Sequence, residues 1–326
     1  MFSKKIFSII IIILITSFFI FKFNNTKDNL PIVAIANYGP HSSIDSSMEG
    51  IKNQLTREGF IDGETIRLKL ADVGFDHSLI SQMISQLRST NPKVLIVTAT
   101  PVAQYAKGAI NNIPLVYNLI TDPTEAGLIK NSNFSDNNMT GSSDKQDLGL
   151  MFAFAKELLP NAKSVGLLYS PSEANDVALV NMMRKAADEA GLKLLAIPVT
   201  QTRDIAISVQ NFKNNVDFLY VGTSGPIQPA LAVIAAECNK MSIPIINVDE
   251  GAVKDGIVLA SFGVDYMKVG ENTGKLVAKI LEGADIAELT PLYPLQEEHR
   301  GFINRKIAEK FNIKLRGNIK NVEIVE

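Results

Sequence analysis

The sequence predicts an α/β protein of two lobes, each built on a parallel sheet, and three observations carry that prediction. Strand-like and helix-like stretches alternate almost without interruption from Pro31 onward, the βαβ pattern of a sheet covered by helices on both faces. The 326 residues are enough for two hydrophobic cores. Strand-like runs also pass repeatedly into small polar residues, near Asn37, Thr98, Thr121, Ser170, Thr223 and Asp249. Loops at the carboxyl ends of parallel strands line a cleft. The reading is a two-lobed binder of small molecules, not an enzyme.

Pro31–Ala36 reads as the first strand, followed by an amphipathic helix from Ser43 to Glu58. Ile44, Met48, Ile51 and Leu55 share one face of that helix and Gly59 stops it. Thr65–Ala71 alternates as a strand, and Ser78–Thr90 is helical. Val94–Thr98 is an apolar, β-branched run suited to a buried parallel strand. Pro101 stands where the first turn of the next helix, Val102–Asn111, should begin. Thr98, Ala99 and Thr100 thereby bring hydroxyls and unpaired N–H groups to one point, which suits an anion such as a carboxylate. Ile113–Leu119 is a further strand, the stretch Asn131–Asp136 is turn-rich, and a short strand follows around Met139–Gly141.

A second series then begins. Helices over Leu148–Leu159, Asn175–Ala190, Asp204–Asn214 and Pro229–Met241 interleave with strands at Ser164–Tyr169, Leu192–Val199, Phe218–Val221 and Ile243–Val248. Val258–Phe262 is another strand, Tyr266–Leu281 a helix, and Arg300–Phe311 is expected to form the last helix. No low-complexity linker divides the two series, as befits lobes joined by several crossings of the chain.

The N-terminus has its own logic. Lys4 and Lys5 precede an apolar run over residues 6–21, and Lys22 and a polar stretch follow. That is the order of an export signal. The run falls just short of the ~17–25 residues of a spanning helix. Cleavage and retention as an N-terminal membrane anchor are both open, with a buried helix the blander alternative. Residues past about Leu30 are expected outside the cytoplasm.

Composition removes several function classes. A net charge of -2 without long charged runs gives nucleic acid nothing to bind. The lone Cys238 excludes an internal disulfide and a cysteine metal cluster. His41, His77 and His299 show no metal spacing, and no metal or cofactor is expected. Gly270-Glu271-Asn272-Thr273-Gly274-Lys275 resembles a P-loop, but it is one residue short and Leu276 replaces the magnesium-binding hydroxyl. It reads as a helix face. Gly222-Thr223-Ser224-Gly225 is not a nucleophile elbow, and no catalytic residue is assigned.

The cleft candidates each have a structural alternative. Thr98 or Thr100 alone would serve as an ordinary helix cap. Thr121 and Asp122 end a strand ahead of Pro123, where Asp122 either caps the turn or stands at the cleft rim. Ser170-Pro171-Ser172-Glu173 looks like a capping box, although its N–H groups would face the cleft from the second lobe. Thr223 and Ser224 follow a strand in the same way. Asp249 and Glu250 are placed either to cap a helix or to pair with a ligand ammonium. Tyr38, in the first strand-to-helix loop, is the best-placed aromatic to stack on a ligand.

These stretches together resemble the substrate-binding proteins of ABC transporters, in the family that includes tryptophan- and tyrosine-binding lipoproteins. The match runs from about Pro31 to the end. It rests on Thr98-Ala99-Thr100-Pro101-Val102-Ala103-Gln104, Thr121-Asp122-Pro123 with Ala126-Gly127-Leu128, and Asn138-Met139-Thr140-Gly141. Glu157–Lys163, Tyr169–Glu173, Asp249-Glu250-Gly251 and Gly263-Val264-Asp265-Tyr266 continue it. His41, Ile44 and Asp45 fit a family pattern His-Pro-x-Leu-Asp, with Ser42 in place of proline, and no lipid-accepting cysteine follows the apolar run.

The resemblance implies a type 1 periplasmic-binding fold: two Rossmann-like lobes, three crossings, and a ligand between them. It implies a first lobe of residues 30–143 with 263–290 and a second of 144–262 with 291–326, after a signal or anchor over 1–29. Thr98 and Thr100, with His41, and Ser170, Ser172, Asn175, Thr223 and Asp249 opposite them, would be cleft residues. The ligand would be an amino acid or similar zwitterion, delivered by a monomer that closes about its hinge to a membrane permease and its ATPase. A ligand-sensing receptor of the same fold and an exported α/β enzyme are the rival readings.

Overall fold

The computed structural model describes residues 30–131, 133, 138–315, 319 and 321–326. The expected export signal or anchor over 1–29, and most of the turn-rich stretch 131–136, lie outside the described residues.

The first lobe begins with β1 (Ile32–Asn37), α1 (Ser42–Arg57), β2 (Arg67–Asp72), α2 (Ile80–Ser89) and β3 (Val94–Thr98). It continues with α3 (Thr100–Ala109), β4 (Leu115–Ile120) and β5 (Met139–Ser143). Its five strands lie in the order β2-β1-β3-β4-β5, all parallel. Every residue of β3 is buried, as a strand covered on both faces requires. The helix after β3 starts at Thr100, two residues earlier than its apolar spacing suggests, because Pro101 fits its first turn.

The second lobe holds α4 (Leu148–Leu158), β6 (Ser164–Tyr169), α5 (Ala174–Glu189), β7 (Lys193–Pro198), α6 (Ile205–Gln210) and β8 (Phe218–Val221). Then come α7 (Leu231–Lys240), β9 (Ile245–Asn247), the short α8 (Glu250–Lys254) and β10 (Ala260–Val264). The chain crosses to the first lobe for α9 (Tyr266–Leu281) and returns for β11 (His299–Asn304), α10 (Arg305–Lys310) and β12 (Val322–Val325). The seven-stranded order is β12-β11-β10-β9-β8-β6-β7, parallel except where β10 meets β11.

The end of the chain corrects one expectation. Residues 300–304 are strand, not the start of a helix, because they pair antiparallel with β10 on one side and parallel with β12 on the other. Two sheet neighbours outweigh the local helical spacing. The helix starts only at Arg305, capped by the Asn304 side chain, which accepts from the Ile307 N–H.

The P-loop-like stretch is a helix seam. Val269, Leu276 and Val277 of α9 share a core with Val33, Ile35, Ile44 and Ile51 of the first lobe. A Cβ on Gly50 would sit 2.1 Å from the Met267 carbonyl oxygen, and one on Gly270 would sit 1.9 Å from that of Ser47. Only glycine at both positions lets α1 and α9 approach so closely. The chain thus comes back from the second lobe to add a helix to the first, and the lobes cannot be independent beads.

Candidate functional site

The carboxyl ends of both sheets face a cavity of about 70 Å³ between the lobes, several times the ~10–15 Å³ one water needs on the same measure. On the first-lobe side, loops after β1 to β3 contribute Tyr38, Phe75, Ala99, Thr100 and Pro101, and β4 and the residues after β4 and β5 contribute Leu119, Thr121 and Asp144. His41, Ser43 and Ile44 enter from the start of α1. Glu173 and Asn175 follow β6, Thr223, Ser224, Gly225 and Gln228 follow β8, and Tyr266 opens α9.

Three of these residues hold left-handed backbone without being glycine: Phe75 at φ 65°, Ala99 at φ 72° and Leu119 at φ 56°. Each sits at or near the end of a different strand of one sheet. Strained backbone of this kind costs roughly 1–3 kcal/mol per residue and concentrates where a ligand is gripped. At Ala99 the twist starts α3 at the cavity wall, and the free N–H groups of a helix's first turn suit a small anion.

The cleft is shut by contacts from lobe to lobe. Tyr38 donates its hydroxyl to Glu173 Oε1 at 3.0 Å, and Ser42 donates to Asp249 Oδ2 at 2.5 Å. The Thr121 and Thr223 hydroxyls lie 3.5 Å apart, and His41 Nε2 is 3.8 Å from Asp249. Phe75 packs edge-on against the Tyr38 ring at 5.5 Å. A Cβ on Gly225 would lie 2.5 Å from Tyr38 Cε1 and 2.9 Å from Glu173 Oε1. The latch closes fully only because position 225 carries no side chain.

Carboxyl groups dominate the electrostatics. Asp144 is fully enclosed; burial pushes its carboxyl up to about 7 against the opposing pull of the Thr121 hydroxyl. Its Oδ1 has no hydrogen-bond partner, and neither has Asn175 Oδ1. Asp176, one layer behind, is also pushed up to about 7 by burial, although the Ser170 N–H and the Ser224 hydroxyl both donate to it. Burial raises Glu173 as well, despite the Tyr38 hydroxyl and the Gly225 N–H. His41 is depressed by burial and therefore neutral near pH 7. Among the described residues no Lys or Arg lines this cavity, and no group of three or more His, Cys, Asp or Glu is arranged to hold a metal.

Of the residues expected from sequence, the cavity gathers Tyr38, His41, Ala99, Thr100, Thr121, Asn175, Thr223 and Ser224. The others lie outside it. Thr98 is buried within the strand end. Asp122 caps the Pro123 turn through the Thr124 and Glu125 N–H groups and pairs with Lys145 at 2.7 Å. Ser170 and Ser172 bond each other at 2.9 Å. Asp249 caps α8 and receives Ser42, and Glu250 pairs with Lys254 one helical turn on. Asp122 and Asp249 thus act as caps, each accepting from N–H groups two or three residues on. Sequence reasoning missed Phe75, Leu119, Asp144, Glu173, Gln228 and Tyr266. Asp144 had a visible signal, a Ser-Ser-Asp run closing β5, and Glu173 was hidden by its resemblance to the last residue of a capping box.

With this geometry in hand, the likenesses are specific. The family model described as ABC transporter substrate binding protein matches residues 32–323. A tyrosine-binding protein of Clostridioides difficile is 28% identical over 265 residues, covering 81% of this chain and 76% of the relative. A Streptococcus pneumonia structure described as the ABC domain in complex with L-Trp superposes with TM-score 0.85 at 28% identity, over 91% of this chain and 100% of that one. A ligand-free, open structure of a Clostridium difficile substrate-binding protein with adhesive properties superposes less closely, with TM-score 0.71 at 25% identity, over 91% of this chain and 99% of that one.

Proposed function

The chain belongs to the ABC transporter substrate-binding protein family, and from that premise we propose that it binds a small molecule, an amino acid, between its lobes and delivers it to a membrane permease driven by an ATPase. The observation that carries this is the cavity itself, walled by both lobes, with an unpartnered buried carboxyl oxygen at Asp144 and the start of α3 at Thr100. Asp144 would take the ligand ammonium and the first-turn N–H groups of α3 its carboxylate. Tyr38, Phe75 and Tyr266 give the remaining wall the character of a pocket for an aromatic side chain, as in the relatives described with tyrosine and tryptophan.

Closure is the working stroke. Only the shut form brings donors and acceptors of both lobes onto one ligand, so binding draws the open form to the closed one. That this chain superposes better on the tryptophan complex than on the open, ligand-free neighbour supports the shut arrangement seen here. The protein acts outside the cytoplasm as a monomer, without covalent chemistry. Residues 6–21 serve as export signal or anchor. The first lobe spans 30–143 with 263–290, and the second 144–262 with 291–326.

The test is a thermal-shift screen followed by calorimetric titration against the twenty amino acids, sugars and nucleosides. An amino acid at 100 times its Kd should add about 2.7 kcal/mol of stability. Stabilisation by a sugar or nucleoside alone would refute the reading.

A further inference from the structure

An α-amino acid carries two charges, and the cavity does not treat them alike. Its walls hold two carboxyl side chains, Asp144 and Glu173, and among the described residues no Lys or Arg; His41 is neutral. Asp144 is fully enclosed and keeps one oxygen without a partner, and Asn175 offers a second buried acceptor in the same state. Acceptors left open in a closed cavity call for a donor, and each costs the free protein the desolvation of an unmade bond. A ligand carboxylate meets neutral donors alone, the Thr100 hydroxyl, first-turn N–H groups and the unpartnered hydroxyls of Ser43 and Tyr266, in a cavity whose charged side chains share its own sign.

From this asymmetry we infer that the site reads the amine of its ligand and not the carboxylate, so that its ligand class is small primary amines bearing an apolar or aromatic group, amino acids being one case. This rests on the cleft being the ligand site, as proposed above. A decarboxylated amino acid keeps the contact with Asp144 and Asn175 and removes a negative charge from an acidic cavity. A deaminated one loses the contact with Asp144 and Asn175, and sets a carboxylate beside another.

The experiment titrates the folded chain with three probes on each of two scaffolds: L-tyrosine, tyramine and 3-(4-hydroxyphenyl)propionate; L-tryptophan, tryptamine and 3-indolepropionate. The amine is expected to bind within about tenfold of the amino acid, and the acid at least about 100-fold more weakly. Asp144→Asn, with its melting curve and circular dichroism checked, should narrow the gap between amine and acid. The comparison of probes on the native chain stands even if that variant fails to fold. Binding of the acid as tight as or tighter than the amine overturns the inference while leaving an amino-acid site intact. Binding of amines without amino acids upholds the inference and removes the transport substrate proposed above. Binding of none of the six overturns the inference, and the screen of the twenty amino acids decides the amino-acid site separately.

Discussion

Binding should depend on pH through Asp144, and the size of the effect follows from the structure. Burial pushes this carboxyl up to about 7 in the free protein, whereas an ammonium seated against it favours the ionised form. A ligand arriving below pH 7 must therefore expel a proton. The apparent Kd rises by the reciprocal of the ionised fraction, about tenfold at pH 6 and about 100-fold at pH 5, and levels off above pH 8. The sign is opposite for the free protein. A carboxyl whose folded pKa is raised contributes stability that is complete below its unfolded value and is lost as pH climbs through about 7. Isothermal calorimetry from pH 5 to 8, in two buffers of different ionisation enthalpy, measures both the affinity and the proton released. Asp176 is pushed up to a similar value but stands behind the wall, held by Ser170 and Ser224, so Asp176→Asn should leave the slope in place and Asp144→Asn should flatten it. A native profile flat from pH 5 to 8 would refute the reasoning.

Three further outcomes are expected. Gly225→Ala places a methyl 2.5 Å from the Tyr38 ring; it should prop the lobes apart, weaken binding about tenfold and enlarge the radius of gyration by small-angle scattering, and unchanged scattering would count against the latch. Ala99→Gly should raise the unfolding free energy by about 1 kcal/mol, because glycine adopts φ 72° without strain; denaturant titration reads it. Gly270→Ala forces a Cβ against the Ser47 carbonyl and should cost about 1–3 kcal/mol by overpacking, visible as a lowered melting temperature with an unaltered fold by circular dichroism.

Periodicity made the layered architecture legible because buried parallel strands such as Val94–Thr98 are written as continuous apolar runs. Where the pattern misled, a distant partner had decided. Arg300–Asn304 is helical in spacing and strand in fact, since β10 and β12 flank it. The site was legible to the same depth. Strand-end loops marked Ala99, Thr121 and Thr223, yet nothing local separates a serine whose hydroxyl bonds within its own loop, such as Ser170, from a threonine that lines the cavity, such as Thr223. Glu173 shows the limit most clearly: its partner Tyr38 lies 135 positions away, and no spacing rule reaches that far.

The pairing of α1 with α9 sets an order on the birth of the molecule. The α1 face of the first β-sheet stays uncovered by α9 until residue 281 has left the ribosome, more than two hundred positions after α1 was made. By then the strands of the other half up to β10 exist, so the half synthesised first is completed only after most of the other has been made. Apolar surface around Ile35 and Ile51 is left waiting in the meantime, a hazard for aggregation during synthesis and a reason why a fragment ending at residue 143 should not fold by itself.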